Sequence, residues 1–443
     1  MAAHAMRDAP WLARLGGWLE APVSARSLCA FRVLFGAVMC CAMLRFIALG
    51  WVDAQYIRPS YHFPYAGFDW LRPWPGVWMR LQFAALVVFA LGVAFGVYYR
   101  ACALALAASL TYVELLDKAV YLNHYYLACL LAWMLVWLPA AGMYSYDAWR
   151  DPARRITSIP RWALLALRVQ VAVVYVFAGL AKLNADWLLR AQPLRIWLAA
   201  RSDLPLIGWL LAQPATAYLA SWAGAAFDLG IVGLLSWRRT RAVALVAAVV
   251  FHALTGVLLP IGMFPWIMLA CITLLLPADW PQRLRGERSN EPQVPARLGH
   301  ATAWLFALHC SVQLIVPLHQ RLAHADTAWS VMGFNFAWNV MLVEKAGSVR
   351  YVVRDLGTGE ERFVEPGEYV TRAQESAMAQ DPEMIRSLAQ RIARDARAKT
   401  GHEVAVYAQA FATLNGRPAR RLIDPAVDLA QQGLKADWIL PLH

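Results

Sequence analysis

The sequence predicts a polytopic α-helical membrane bundle of about nine transmembrane helices, followed by a small β-rich α+β domain outside the membrane. Three observations predict it. Hydrophobic residues make up 60% of the 443 positions and charged residues only 16%, where an ordinary soluble domain carries roughly a quarter charged. Apolar windows long enough to cross a bilayer recur before residue 318. Beyond Trp329 the composition changes to short β-branched runs punctuated by glycine and proline.

The first twenty residues, with Arg7, Trp11, Trp18 and Glu20 interspersed, lack the apolar core of a cleavable signal, so the first span is expected to target the chain. Spans are expected near 27 to 50, 77 to 98, 101 to 117, 123 to 141, 162 to 182, 215 to 236, 242 to 259, 262 to 277 and 301 to 317. The pair joined by Leu259, Pro260 and Gly262 is short and turn-linked, which leaves eight spans as the alternative count. Loops on one side, from Arg7 to Arg26, at Arg100, from Arg150 to Arg161, from Arg238 to Arg241 and from Arg283 to Arg297, hold about fifteen basic residues against six on the other. Because cytoplasmic loops carry the arginine excess, residues 1–26 read as a cytoplasmic segment, 27–317 as the transmembrane domain and 318–443 as an outer-facing domain. The net charge of +12 thus follows membrane topology, and no nucleic-acid partner is expected.

In the tail, Val352 and Val353, Arg362 to Val364 and Val404 to Phe411 read as strands, with Gly357, Gly359, Pro366 and Gly367 as turns. Pro382 to Ala398 has helical spacing, which fits a small α+β fold or a β-sandwich. The seven cysteines lie in or beside apolar stretches without a paired spacing and read as small buried hydrophobes.

Ionisable groups inside spans are costly and each marks a candidate site. They are Arg45, Glu114, Arg168, Lys182, Asp228 and His252, with Asp117 and His124 at the outer boundary. Arg168 is expected to snorkel, and Asp228 and Glu114 to hydrogen-bond a neighbouring helix. Lys182, Asp117, Asn123 and His124 share one depth and are expected to meet in one pocket. Tyr175, Gly179 and Lys182 fall on one helix face, where Gly179 lets another group approach the backbone. The plain structural alternatives are an ion pair of Lys182 with Asp186 four residues on, Asn123 as a helix cap, and His252 as a satisfied core residue. The sequence has no metal-ligand spacing, nucleophile elbow or phosphate-cradling loop, so no metal is expected.

The run Val174-Tyr175-Val176-Phe177-Ala178-Gly179-Leu180-Ala181-Lys182-Leu183-Asn184-Ala185-Asp186-Trp187 resembles the signature of the vitamin K-dependent γ-glutamyl carboxylases and the related bacterial HTTM membrane proteins. Leu116-Asp117-Lys118 with Leu122-Asn123-His124 resembles a second block. Phe251-His252, Ile261 to Pro265, the segment Trp329 to Met341 and Ile423-Asp424-Pro425 with Val427-Asp428 resemble further ones, in the same order. The resemblance implies a reaction driven by reduced vitamin K or a menaquinol-type naphthoquinol, with O2 and CO2 as co-substrates and a glutamyl protein or peptide as acceptor. It implies Lys182 as catalytic base, and His124 and Asn123 as oxyanion donors. Tyr175, Gly179 and His252 are expected at the cofactor, and Trp338 and Met341 at the substrate. An apolar pocket disfavours a charged amine, which is the physical route to a basic lysine. The implied setting is a bacterial inner membrane, with the C-terminal domain periplasmic and lipid and quinone as partners.

Departures from the pattern are the lack of cysteines for an outer-domain disulfide, Gln320 with His319 one position early, and Ala337 and Val340 where serine and methionine are usual. They bear on the protein substrate more than on the quinol step. The competing functions are a quinol epoxidase or oxidase without carboxylation, and a non-enzymatic HTTM protein that binds a lipid or partner.

Overall fold

Each apolar window forms a helix in the computed structural model, which describes residues 10–286, 294–296, 298–323, 326–431, 433 and 437–442. In chain order these are α1 (Arg26–Ala48), α2 (Val77–Phe95), α3 (Tyr99–Leu115), α4 (Asn123–Trp137), α5 (Arg161–Lys182), α6 (Pro214–Ser236), α7 (Arg241–Leu258), α8 (Phe264–Leu275) and α9 (His300–Ala323). Among the described residues six of them, α1, α2, α5, α6, α7 and α9, are long and apolar enough to cross a membrane. Helices α3, α4 and α8 have 17, 15 and 12 residues. At 1.5 Å per residue α8 is only about 18 Å long, short of a hydrocarbon core of about 30 Å.

Small residues set the helix contacts, as expected where lipid removes the hydrophobic drive between helices. A side chain at Gly36 would lie 2.5 Å from Ala94 N and 2.8 Å from Ala90 O, so α1 and α2 touch backbone to backbone. Helix α7 turns Ala244, Ala248 and His252 inward at a four-residue repeat and shows Val243, Val246, Val250 and Val257 outward. Arg32, fully buried in α1, donates to the carbonyls of Val93, Ala94, Ala140 and Tyr144 and so closes the end of α2.

The tail is a four-stranded antiparallel sheet, which excludes the β-sandwich alternative. Its strands are β1 (Lys345–Asp355), β2 (Glu361–Val364), β3 (Val404–Leu414) and β4 (Arg420–Arg421), in the order β2-β1-β3-β4. Val349, Tyr351 and Val353 of β1 alternate inward with Val406, Ala408 and Ala410 of β3. Two helices, α10 (Arg372–Met378) and α11 (Pro382–Thr400), cover that face. Met384, Ile385, Leu388, Ile392 and Ala396 form the buried stripe of α11, which Asp381 caps and Gly401 ends in a left-handed turn.

The helix caps of the sheet domain also grip the bundle. Gln374 closes a capping box with Thr371, and its amide donates to Asp117 Oδ2 at 2.8 Å. Lys118 pairs with Asp381 and Glu383, each at 2.8 Å. Asp117 also accepts from the backbone N–H of Phe63 and Ala119. It therefore faces the sheet domain and not a pocket with Lys182, which corrects the expectation drawn from depth.

Other expectations also change. Arg168 does not snorkel; it donates to the carbonyls of Leu274 and Leu276, the orphaned end of α8. Glu114 leaves Oε1 without a hydrogen-bond partner among the described residues. Cys41 is exposed, unlike Cys29, Cys40, Cys129 and Cys271. Arg7, Arg288 and Arg297 of the charge asymmetry lie outside the described residues, as do parts of the segments 1–26 and 283–299.

Burial pushes the Asp117 carboxyl up to about 6, against hydrogen bonds from Ala119, Gln374 and Phe63 that pull it down. Between the ordinary aspartate value of about 3.9 and about 6, the folded chain holds more protons than the unfolded one. Stability therefore falls as pH rises through that window and is flat above it. Asp117→Asn is expected to remove this slope, on the order of 2 to 3 kcal/mol. Unfolding in detergent across pH 4 to 7 measures it, and an unchanged slope in the variant rejects the assignment.

Candidate active site

Lys182 is the last residue of α5, and the chain breaks there because Asn184 starts the next short helix, Ala185–Arg190, by accepting from Trp187 N–H at 2.9 Å. That break turns Asp186 away. Its carboxylate is held by Arg417 at 2.6 Å and by Asn415 and Arg190 at 2.8 Å. Although burial pushes it up, these partners hold the Asp186 carboxyl below its ordinary value. The alternative of a Lys182–Asp186 pair is therefore not realised.

The partner of Lys182 is Asp228 of α6, with Nζ 2.8 Å from Oδ2. Both are buried, Lys182 at 5% exposure and Asp228 at 6%. Nζ also lies 3.3 Å from the carbonyls of Ala178 and Val340 and 5.1 Å from the centre of the Trp187 ring. Trp187 is itself fixed to α6, its indole N–H donating to Ser221 O at 2.7 Å. Asp228 thus meets the expectation of bonding a neighbouring helix, and what sequence reasoning missed is that its partner there is Lys182.

Gly179 explains why the two helices come so close. A Cβ there would lie 2.8 Å from the Leu229 side chain and 3.0 Å from Leu229 N. The group that approaches Gly179 is helix α6, not a cofactor, which corrects that assignment.

Beside the ion pair lies an apolar cavity of about 260 Å³. Its polar lining is Tyr175, Lys182, Asp228, His252 and Thr255, and Met341, Phe251 and Phe264 are among its apolar walls. Tyr175 Oη is 2.8 Å from His252 Nε2, while His252 Nδ1 is buried with no hydrogen-bond partner among the described residues. The His252 expectation is met on one ring nitrogen only. An orphaned imidazole nitrogen in an otherwise apolar cavity is a ready hydrogen-bonding point for a ligand.

Between the sheet domain and the bundle, the segment from 331 to 341 packs among the helix ends of the bundle, where Trp338 joins its buried apolar cluster. Val331, Phe336, Trp338 and Met341 all have φ between 50° and 61°, the left-handed region that non-glycine residues avoid. Such strain costs on the order of 1 to 3 kcal/mol per residue and persists only where packing over-determines it. Trp338, 0% exposed, stacks on Tyr126 with ring centres 5.0 Å apart. It anchors the insert and does not line the cavity beside Lys182. Met341 does line it. Val340 departs from the usual side chain at no cost to the site, since its carbonyl makes the contact with Lys182.

Asn123 and His124 begin α4 on the far side of Phe264. Asn123 does not cap its helix; Leu122 is the cap position, and the Asn123 amide instead donates to Asn339 O at 3.3 Å and accepts from Tyr121 Oη at 3.0 Å. His124 packs on Tyr125, and its ring centre is 6.2 Å from that of Phe264, which is 6.0 Å from that of His252. The Phe264 ring thus stands between the two histidines. The structure brings together Lys182, Tyr175, His252 and Met341, and connects Asn123 to them through the inserted segment. Among the described residues there is no cluster of three or more His, Cys, Asp or Glu able to hold a metal ion.

These features define a polytopic membrane protein with a buried acid–base pair at an apolar cavity, closed by an extramembrane sheet domain. Residues 20–280 match the HTTM domain, and residues 299–443 match the lumenal domain of vitamin K-dependent gamma-carboxylase. The chain belongs to the vitamin K-dependent γ-carboxylase family, and both matches support a γ-carboxylase-like function. The family implies vitamin K hydroquinone, oxygen and carbon dioxide. No solved structure matches the chain.

The buried pair makes a testable energetic demand. Asp228→Leu alone is expected to destabilise the protein by about 3 to 5 kcal/mol, because the ammonium is left without its partner. The double variant Lys182→Met/Asp228→Leu is expected to recover most of that loss. Unfolding of wild type, Lys182→Met, Asp228→Leu and the double variant in detergent gives the coupling. Additive losses would show that the two groups are not paired.

Proposed function

We propose that the protein couples oxidation of a membrane naphthoquinol to proton abstraction from, and carboxylation of, glutamyl residues at the outer side of a bacterial inner membrane. The observation that carries the reading is the Lys182–Asp228 pair buried against a cavity that also holds His252 Nδ1, which has no hydrogen-bond partner among the described residues. On this reading residues 1–26 are cytoplasmic, 27–317 form the membrane domain and 318–443 lie outside, in keeping with the arginine asymmetry.

The base is the pair and not a lone amine. Lys182 Nζ and Asp228 Oδ2, 2.8 Å apart, share one proton and have room for a second. When the shared proton shifts to Oδ2, Nζ is free to accept one more, and the single positive charge the pair then carries is balanced in the apolar surroundings by the anion left on the proton donor beside it. Burial of both groups keeps water from competing for that proton.

Tyr175, His252 and Met341 would hold the quinol head group. When bound, this group supplies the reducing equivalents that, with oxygen, generate a base strong enough for a glutamyl γ carbon. His252 Nδ1 and the Tyr175 hydroxyl orient it by hydrogen bonds. Ala223 of α6 and Leu254 of α7 line the cavity and are exposed on the flank of the bundle, a route for a ligand carried in lipid. Asn123 is a positioning residue, holding Asn339 and so the Val340 carbonyl against Nζ. His124 reaches the cavity only past Phe264.

The test is epoxide formation from reduced vitamin K by the purified protein, with labelled bicarbonate and a glutamyl peptide present. Lys182→Ala is expected to lower turnover by about a hundredfold or more, the usual contribution of a positioned base. Asp228→Asn is expected to lower it less, with a shifted pH profile. Epoxide without label in the peptide would leave a quinol epoxidase, and Lys182→Ala turnover equal to wild type would overturn the enzymatic reading.

A further inference from the structure

At the end of the bundle away from the sheet domain, the start of α5, the turn between α6 and α7, and the residues after α8 enclose a second cavity of about 600 Å³. Arg161, Arg168, Arg238, Arg241 and Arg283 line it together with Trp18. We propose that this cavity binds the phosphate of an anionic glycerophospholipid. The proposal stands apart from the quinol reading and uses none of its residues.

Charge is the first argument. Among the described residues only Arg283 has a carboxylate partner, Asp279 at 2.8 Å, so five guanidinium groups face one carboxylate. Three of the others spend their bonds on backbone. Arg161 donates to Trp18 O, Arg168 to Leu274 and Leu276 O, and Arg241 to Leu235 and Ser236 O. Those bonds fix the side chains without neutralising them. Each guanidinium has five N–H donors, and Arg168 and Arg241 use Nε and Nη2 only, so donors remain for an oxyanion. Arginine forks set rigidly around one concavity suit a phosphate better than a diffuse basic surface does.

Position is the second argument, and it favours a lipid over a free anion. The cavity walls between the arginines are Leu164, Leu165, Leu275 and Leu276, the ends of membrane helices. Trp18 and Trp237, 49% and 57% exposed, flank the same end as interfacial aromatics do. Headgroup phosphate meets arginine at that level while acyl chains continue along the leucines. A zwitterionic headgroup carries its own cation into a cluster already in positive excess, so an anionic lipid is selected.

Arg238 and Arg283 are exposed and cap no helix, so Arg238→Gln/Arg283→Gln tests the cavity with the bundle intact. The full-length protein in neutral detergent is titrated with dioleoylphosphatidylglycerol or dioleoylphosphatidylcholine and bound lipid is counted by native mass spectrometry. Wild type is expected to bind the anionic lipid about tenfold more tightly, and the double variant to lose about that factor. Arg420→Gln/Arg421→Gln, the same charge change on the sheet domain, is expected to keep it. An unfolding midpoint of the cavity variant equal to wild type without lipid confirms that the fold is unchanged. Equal binding of the two lipids, or equal loss in both double variants, overturns the proposal. Displacement of the lipid by millimolar inorganic phosphate overturns it in favour of a free-anion site.

Discussion

An ammonium and a carboxylate held 2.8 Å apart in apolar surroundings impose the constraint from which the site is built. Neither group tolerates burial alone, and together they are stable only if the remaining N–H groups find acceptors and water stays out. Each neighbour serves one of these needs. Gly179 brings α6 against α5, the carbonyls of Ala178 and Val340 take further Nζ donors, and the Trp187 ring covers one side. The adjoining cavity is small and mostly apolar, which is where a proton transfer is least disturbed by solvent.

One of those acceptors belongs to the extramembrane half of the chain, and this explains how a sheet domain governs a site inside the bundle. The domain is fastened at Asp117 and Lys118, just ahead of α4, through the caps of α10 and α11. A second fastening is at Asp186, just after α5, through Arg417 and Asn415. Between these anchors the segment 331 to 341 descends to Tyr126, Asn123 and Lys182. The strained residues of that segment sit where the two halves meet, and strain of this kind is kept only because the packing on both sides leaves no relaxed alternative.

Local pattern was legible and long-range partnership was not. Apolar runs, the β-branched stretches of the tail and the helical spacing of 382 to 398 marked the elements, because period and composition are properties of contiguous sequence. Lys182 stood out as a candidate because an ionisable group inside a span is rare. Its partner was not, since Asp186 is nearer in sequence but the helix ends between them, and Arg417, far along the chain, claims that carboxylate. Equal depth also misled, because Asp117, His124 and Lys182 point from different helices, and a shared level says nothing of azimuth. Trp338 was placed at the substrate by resemblance alone, and its stacking on Tyr126 inside the bundle is a long-range contact that no local pattern encodes.

The bundle contains a second buried cation, and the contrast shows what distinguishes a structural charge from a reactive one. Arg32 is 0% exposed, yet its bonds all run to backbone carbonyls, four of them, left over where helices end. A guanidinium never gives up its proton under ordinary conditions, and carbonyls cannot take one, so that arrangement only holds helices together. Lys182 has a titratable nitrogen, a titratable partner and open volume beside both. Shifting one proton across the 2.8 Å hydrogen bond changes the charge of each group without breaking a helix end. On the proposed reading the chemistry falls where burial is combined with exchangeable protons and space for a ligand, and burial by itself would have pointed equally to Arg32.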